Sequence, residues 1–331
     1  MAVSTTSPAH TQAFEDAIQL EYVSPGNYSA DLKWEWSVGS APNGGYIAAI
    51  LHRLATDHFH RSHPKQHHSR PAPINLQLQY VRRSDIGPAA LHVRDVKLGA
   101  RISLIHVTLS QNNREKVVGY VTVSDPVSEK GISTSTGWEV QPRPPQFTPP
   151  SQPGQMHSDD GAWHKVTLTN PGFRRASNQL ELYEPNDQIE GPGCISQWAR
   201  LHTTGKGGGV GRWTPETVSF LVDIFPITLG RMEQVVQRDL PGAEVEGEEA
   251  AKEAAPVWFP TLGLQIDLKK PAVSGDEWLY TQTVIKAVRD GRMDVQVVVL
   301  DQAGELVAVA TQANLILSAD RNAGKKGKTS L

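Results

Sequence analysis

Two distant stretches of this chain follow one pattern, and that repeat limits what it can fold into more than any single motif does. LGARISLIHVTLSQNNREKVVGYVTV, from Leu98 to Val123, and RDGRMDVQVVVLDQAGELVAVATQ, from Arg289 to Gln312, both alternate apolar and polar residues, pass through a polar link and alternate again. Period-two alternation marks half-buried strands. A chain built this way must fold as two similar units, each covering one apolar face of a sheet.

The flanking sequence extends the repeat. In the first half Ile18/Leu20/Tyr22 and Tyr28/Ala30/Leu32/Trp34/Trp36 read as strands. Pro-Asn-Gly-Gly-Tyr then opens a helix with Ile47, Ile50, Leu51 and Leu54 on one stripe and Asn43 as its N-cap. Strands are expected over Ile74–Tyr80, Leu91–Leu98, Ile102–Leu109 and Val117–Val123. The second half follows the same order. Strands at Leu180/Leu182 and Cys194–Leu201 precede a helix starting at Thr214-Pro215, and four strands follow over Leu262–Leu268, Trp278–Ala287, Met293–Leu300 and Leu306–Leu317. One helix lying across a long antiparallel sheet covers its apolar face. The expected class is α+β, a double hot-dog with two tandem repeats, each a curved antiparallel sheet wrapped on a central helix. The expected boundaries are an N-terminal unit over 1–132, a Pro/Ser-rich extended and solvated linker over 133–162, a C-terminal unit over 163–320 and a disordered basic tail over 321–331.

Composition narrows the function classes. Net charge is −3 with both signs scattered, so neither nucleic acid nor an anionic membrane is the expected partner. No apolar run reaches the ~20 residues of a membrane span. The lone cysteine, Cys194, builds no disulfide framework and reads as a buried thiol in a reducing compartment. Cytosol is the default location. The final Thr-Ser-Leu resembles a peroxisomal address only loosely, which keeps that compartment as the alternative.

The second helix carries the most suggestive residue. From Val218 it reads VSFLVDIFPITL, apolar on nearly every side and therefore buried, and Asp223 is its one charge. A buried carboxylate needs polar company or an elevated pKa. Pro226 would end or kink the helix behind it. Spacing alone leaves two readings open: a reactive acid in a cleft, or an acid that caps a neighbouring loop or pairs with Arg231. Thr261 begins the next strand. Gln312 lies in the last strand, where Ala310, Gln312 and Asn314 share the face opposite Val309, Thr311 and Ala313.

Other motifs are weaker. The stretch holding His58, His60, His63, His67 and His68 reads as a solvated loop after the helix, without Cys or carboxylate at zinc-like spacing, and no metal or cofactor is expected. The glycine run Gly205–Gly211 lacks the frame of a phosphate loop. Trp34, Trp36, Trp198 and Trp278 read as core or pocket wall within strands. No Gly-x-Ser-x-Gly elbow is present.

Pro42–Ile50, Leu221–Pro226, Pro260–Leu262 and Ala310–Gln312 together resemble the acyl-CoA thioesterase II-like, double hot-dog family over most of the chain. That resemblance implies hydrolysis of an acyl-CoA or carrier-bound acyl or polyketide thioester, by water held between Asp223, Thr261 and Gln312. Asn43, Gly44, Gly45 and Tyr46 would serve substrate or oxyanion at the N-terminus of the first helix, where backbone N–H groups and the helix dipole converge. Two departures bear on the substrate: LGLQIDLKKPA follows Thr261, and Ala-Asn follows Gln312. The first half lacks an equivalent trio, with Val123 near the position of a glutamine, so one site per chain is expected. The frame also admits non-hydrolytic chemistry (a dehydratase, a cyclase or product release) or a catalytically silent acyl-binding protein. Edge strands leave a homodimer open.

Overall fold

The computed structural model describes residues 14–65, 70–126, 129–152, 154–168, 170–187, 191, 193–202, 211–224, 257–270 and 276–322. His67, His68, Arg231, Pro226, the glycine run over 205–210 and the tail beyond 322 lie outside these residues.

A short helix α1 (Phe14–Ala17) precedes strands β1 (Glu21–Ser24) and β2 (Asn27–Leu32) and the two-residue β3 (Ser37–Val38) and β4 (Ala41–Pro42). Helix α2 (Gly44–Ser62) follows, then β5 (Ala72–Tyr80), β6 (Gly87–Lys97), β7 (Ser103–Gln111) and β8 (Arg114–Ser124). The second half holds β9 (Trp163–Lys165), β10 (Leu180–Pro185), β11 (Cys194–Leu201) and α3 (Pro215–Leu221). It continues with β12 (Val257–Trp258), β13 (Thr261–Leu268), β14 (Leu279–Val284), β15 (Val288–Arg289), β16 (Arg292–Leu300), β17 (Leu306–Leu315) and β18 (Leu317–Ser318).

The long strands form one antiparallel sheet in the order β1-β2-β6-β7-β8-β5-β13-β17-β16-β14-β11-β10-β9. Outward from the β5–β13 junction, the order β5-β8-β7-β6-β2 in one half is repeated as β13-β17-β16-β14-β11 in the other. The junction is itself symmetric. Leu78 faces Leu264, with Gln77 on Gln265 and Gln79 on Gly263. Gln312 pairs with Leu264 and Gly119 pairs with Leu78, so Gly119, rather than Val123, stands where the first half would carry its glutamine.

Helix α2 lies across β5–β8 and packs on α3, and the buried sides of both helices join one core that includes Ile47, Ile50, Leu51, Val218 and Phe220. Caps set the two helix starts: Asn43 Oδ1 accepts from the Tyr46 N–H at 3.0 Å, and Thr214 and Thr217 form a reciprocal capping box.

Several local expectations change. The chain forms α1 just before Ile18, and Trp34–Trp36 is a 3-10 turn; Trp36 is buried against Phe14 and Phe220 while Trp34 is exposed. Trp278 sits one residue before β14. Cys194 is half-buried at the first position of β11. The proline-rich connection is extended but not solvated throughout. Val140 is buried, and the Phe147 ring stacks on Trp198 at 4.6 Å between centroids. Trp163, Tyr183, Trp278 and Tyr280 complete this aromatic layer on the sheet face turned away from α3.

Candidate active site

Helix α3 ends at Leu221, two residues earlier than an acid on the helix would require. Val222 and Asp223 continue it as a tightened turn in which the Asp223 N–H bonds the Phe220 carbonyl at 3.2 Å. This turn carries Asp223 to the first turn of α2. The side chain is buried, with three donors on its carboxylate. Oδ2 accepts from the Gly45 N–H at 2.8 Å and from Asn43 Nδ2 at 3.0 Å, and Oδ1 accepts from the Thr261 hydroxyl at 3.1 Å. Of the two readings left open by spacing, the capping one is realised in part: the acid of one half caps a helix of the other.

Burial pushes the Asp223 carboxyl up, and the hydrogen bonds from Gly45, Thr261 and Asn43 pull it partway back, leaving it at about 6. The glycines allow this approach. A Cβ on Gly44 would stand 2.9 Å from Asp223 Oδ2, and one on Gly45 would stand 2.5 Å from the Phe220 carbonyl oxygen. In this state the Gly45 N–H serves the carboxylate, so it is not open to a substrate oxygen as the sequence suggested.

Thr261 opens β13 at a register shift, and its cross-strand partner is Asn314. Asn314 Nδ2 donates to the Thr261 oxygen at 3.2 Å, and the Thr261 hydroxyl donates onward to Asp223. The same Nδ2 reaches Gln312 Oε1 at 3.4 Å. Gln312 Nε2 donates to the Val222 carbonyl at 2.7 Å and so holds the backbone immediately before Asp223. Asn314 was placed by alternation on this face, but nothing in the sequence showed its contact with Thr261. Its Oδ1 is buried with no hydrogen-bond partner among the described residues. Tyr80, also missed, donates its hydroxyl to the Gly44 carbonyl at 2.6 Å. Tyr46 has a supporting role: its ring is buried and its hydroxyl donates to the Ala17 carbonyl at 2.6 Å.

Asp223, Thr261, Asn43, Gly44 and Tyr80 line a cavity of about 310 Å³ whose walls include Ile47 and Phe259. Arg82, Arg83 and Arg174 also border it. The symmetric place in the other half holds a second cavity of about 310 Å³, lined by Ala72, Pro73, Ile74, Pro215, Leu268 and Lys269. There Pro215 occupies the first position of α3, as Gly44 does in α2. Proline has no N–H to offer a carboxylate.

Comparison with known proteins gives a consistent result. Residues 32–124 match the family model described as the acyl-CoA thioesterase N-terminal domain, and residues 142–316 match the C-terminal domain. A thioesterase-like protein of Talaromyces wortmannii, TwmA, is 29% identical over 96% of this chain and 95% of its own. Two solved structures share the fold. A hot-dog protein of unknown function from Alicyclobacillus acidocaldarius aligns with a TM-score of 0.64 at 17% identity, covering 93% of this chain and 99% of that one. Acyl-CoA thioesterase II TesB2 of Mycobacterium marinum aligns at 0.62 and 14% identity, covering 92% and 98%.

Proposed function

This chain belongs to the two-domain acyl-CoA thioesterase family, and from that premise we propose that it hydrolyses an acyl thioester at Asp223. The observation that carries the reading is a buried carboxyl at about 6, bordering a cavity and hydrogen-bonded to a threonine that a second side chain orients. A base poised near neutral pH accepts a proton from water far better than an ordinary aspartate would.

Water held by Asp223, the Thr261 hydroxyl and the second N–H of the Gln312 amide attacks the thioester carbonyl carbon. A C–O bond forms as the water proton passes to the Asp223 carboxylate. Charge develops on the carbonyl oxygen at the positive end of α2, where the helix dipole favours it. The C–S bond then breaks, and the proton returns from Asp223 to the sulfur, leaving a free acid and a thiol. Arg82, Arg83 and Arg174 suit a phosphate-bearing leaving group, which is the chemistry common to CoA and to the phosphopantetheine arm of a carrier.

The test is thiol release from acyl-CoAs of several chain lengths. Wild type should release thiol from at least one of them, and Asp223→Asn should abolish release while keeping a native circular dichroism spectrum. Undiminished release by the variant, or none by wild type on any CoA or carrier thioester, would overturn the reading.

A further inference from the structure

A second cluster of reactive side chains sits at the far end of α2, roughly 21 Å along the helix from Gly44 at ~1.5 Å per residue. His58 is buried there, with Nε2 2.9 Å from Oδ1 of Asp95. His63, the C-cap residue, puts its Nε2 2.9 Å from Oδ2 of the same carboxylate. The three ligand atoms all lie within 4.8 Å of one another. The sequence offered no carboxylate here because Asp95 comes from β6, and His58 belongs to the helix itself rather than to a loop after it.

The position of Asp95 is unusual for its strand. Ala89, Leu91 and Val93 are the buried residues of β6, so the pleat turns Asp95 to the same inner side, where an apolar residue would be ordinary. A register shift between Asp95 and Lys97 ends the regular pairing at that point. Among the described residues the ion-pair partners of Asp95 are these two imidazoles.

We propose that His58, His63 and Asp95 form a binding site for a divalent cation of the zinc class, fastening the C-terminal end of α2 to β6. Two imidazoles and one carboxylate are ligands of matching hardness for such an ion, and three of them leave a position for water. His63 and Asp95 are 18% and 34% exposed, which gives solvent that position. Metal–ligand distances of about 2.0–2.2 Å put tetrahedral ligand atoms roughly 3.3 Å apart. The imidazole–carboxylate separations therefore open by a few tenths of an ångström as the two rings close on the ion. The Ser62 hydroxyl lies 3.5 Å from His58 Nδ1. A hydroxyl donates to that nitrogen when Nε2 carries the proton and accepts from it when Nε2 carries the ion, which is the outer-shell support a ligating histidine uses. The carbonyl end of α2 adds a favourable partial negative charge.

The experiment uses the full chain, stripped with chelator and titrated with Zn²⁺ by calorimetry and with Co²⁺ by visible absorption. Wild type should bind one ion per chain and unfold at a higher temperature with zinc than without. His63→Ala and Asp95→Asn should each weaken binding roughly tenfold or more, and His60→Ala, an exposed neighbour outside the cluster, should bind as wild type does. His63→Ala removes a partly exposed side chain at a helix end, so its fold, checked by circular dichroism, should be retained. No stoichiometric binding to wild type, or equal binding by all three variants, would overturn the proposal.

Discussion

Asp223→Asn makes a prediction that separates function from stability. Lifting the carboxyl from 3.8 to about 6 means that the folded state binds a proton more tightly than the unfolded chain does. The stability this contributes is complete below the unfolded value and is lost as pH rises through about 6, to a total of about 3 kcal/mol. An asparagine keeps the shape and carries no charge. Its carbonyl can accept from the Gly45 N–H and Asn43 Nδ2, and its amide can donate to the Thr261 oxygen. The variant should therefore be more stable than wild type by up to about 3 kcal/mol at about pH 8, and by roughly half that at about pH 5. At ~2 cal/mol/K per residue, the larger gain corresponds to a rise of about 4 °C in Tm. Paired thermal unfolding of both proteins at the two pH values reads this directly. A variant that is less stable at the higher pH, or a gap that does not change with pH, would show that the hydrogen bonds outweigh desolvation and that the carboxyl is not lifted.

Further outcomes follow from the same geometry. The kcat/KM for thioester hydrolysis should rise with pH through about 6 and then level off, because only the ionised Asp223 can accept the water proton; a pH–rate profile checks this. Gln312→Ala leaves the Val222 carbonyl without its partner, and should cost about 1–3 kcal/mol in denaturant unfolding and lower kcat by ~10²-fold. Gly45→Ala forces a methyl group against the Phe220 carbonyl and Asp223 Cβ, and should destabilise the protein by roughly 1–3 kcal/mol while displacing the base, so Tm and kcat should fall together.

Much of the frame was legible because alternation and helical stripes are local signals. Cys194–Leu201 is a strand with the expected ends, and Asn43 and Thr214 cap the helices they were assigned to. The interface between the halves was less legible. Asp223 stood out as a charge among apolar residues, but its partners Gly45 and Asn43 lie in the other half, and no sequence period encodes that meeting. Asn314 and Tyr80 escaped although their partners Thr261 and Gly44 lie within their own halves. A polar residue on an inner face becomes informative only when its cross-strand neighbour is known, and β13 reaches β17 by register rather than by proximity in the chain. The acid at Asp95 shows the same limit.

The near-symmetry about β5 and β13 has an energetic consequence. A homodimer of identical hot-dog units would carry every residue twice, including a desolvated acid at each helix junction. Joining the units in one chain lets the two junctions diverge. One sets Gly44 and Gln312 around Asp223, and the other places Pro215 and Gly119 at the positions that match those two. The cost of holding a reactive carboxyl out of water, about 3 kcal/mol at neutral pH, then falls once on a fold of twice the size, and the unburdened half acts as ballast for the half that carries the acid.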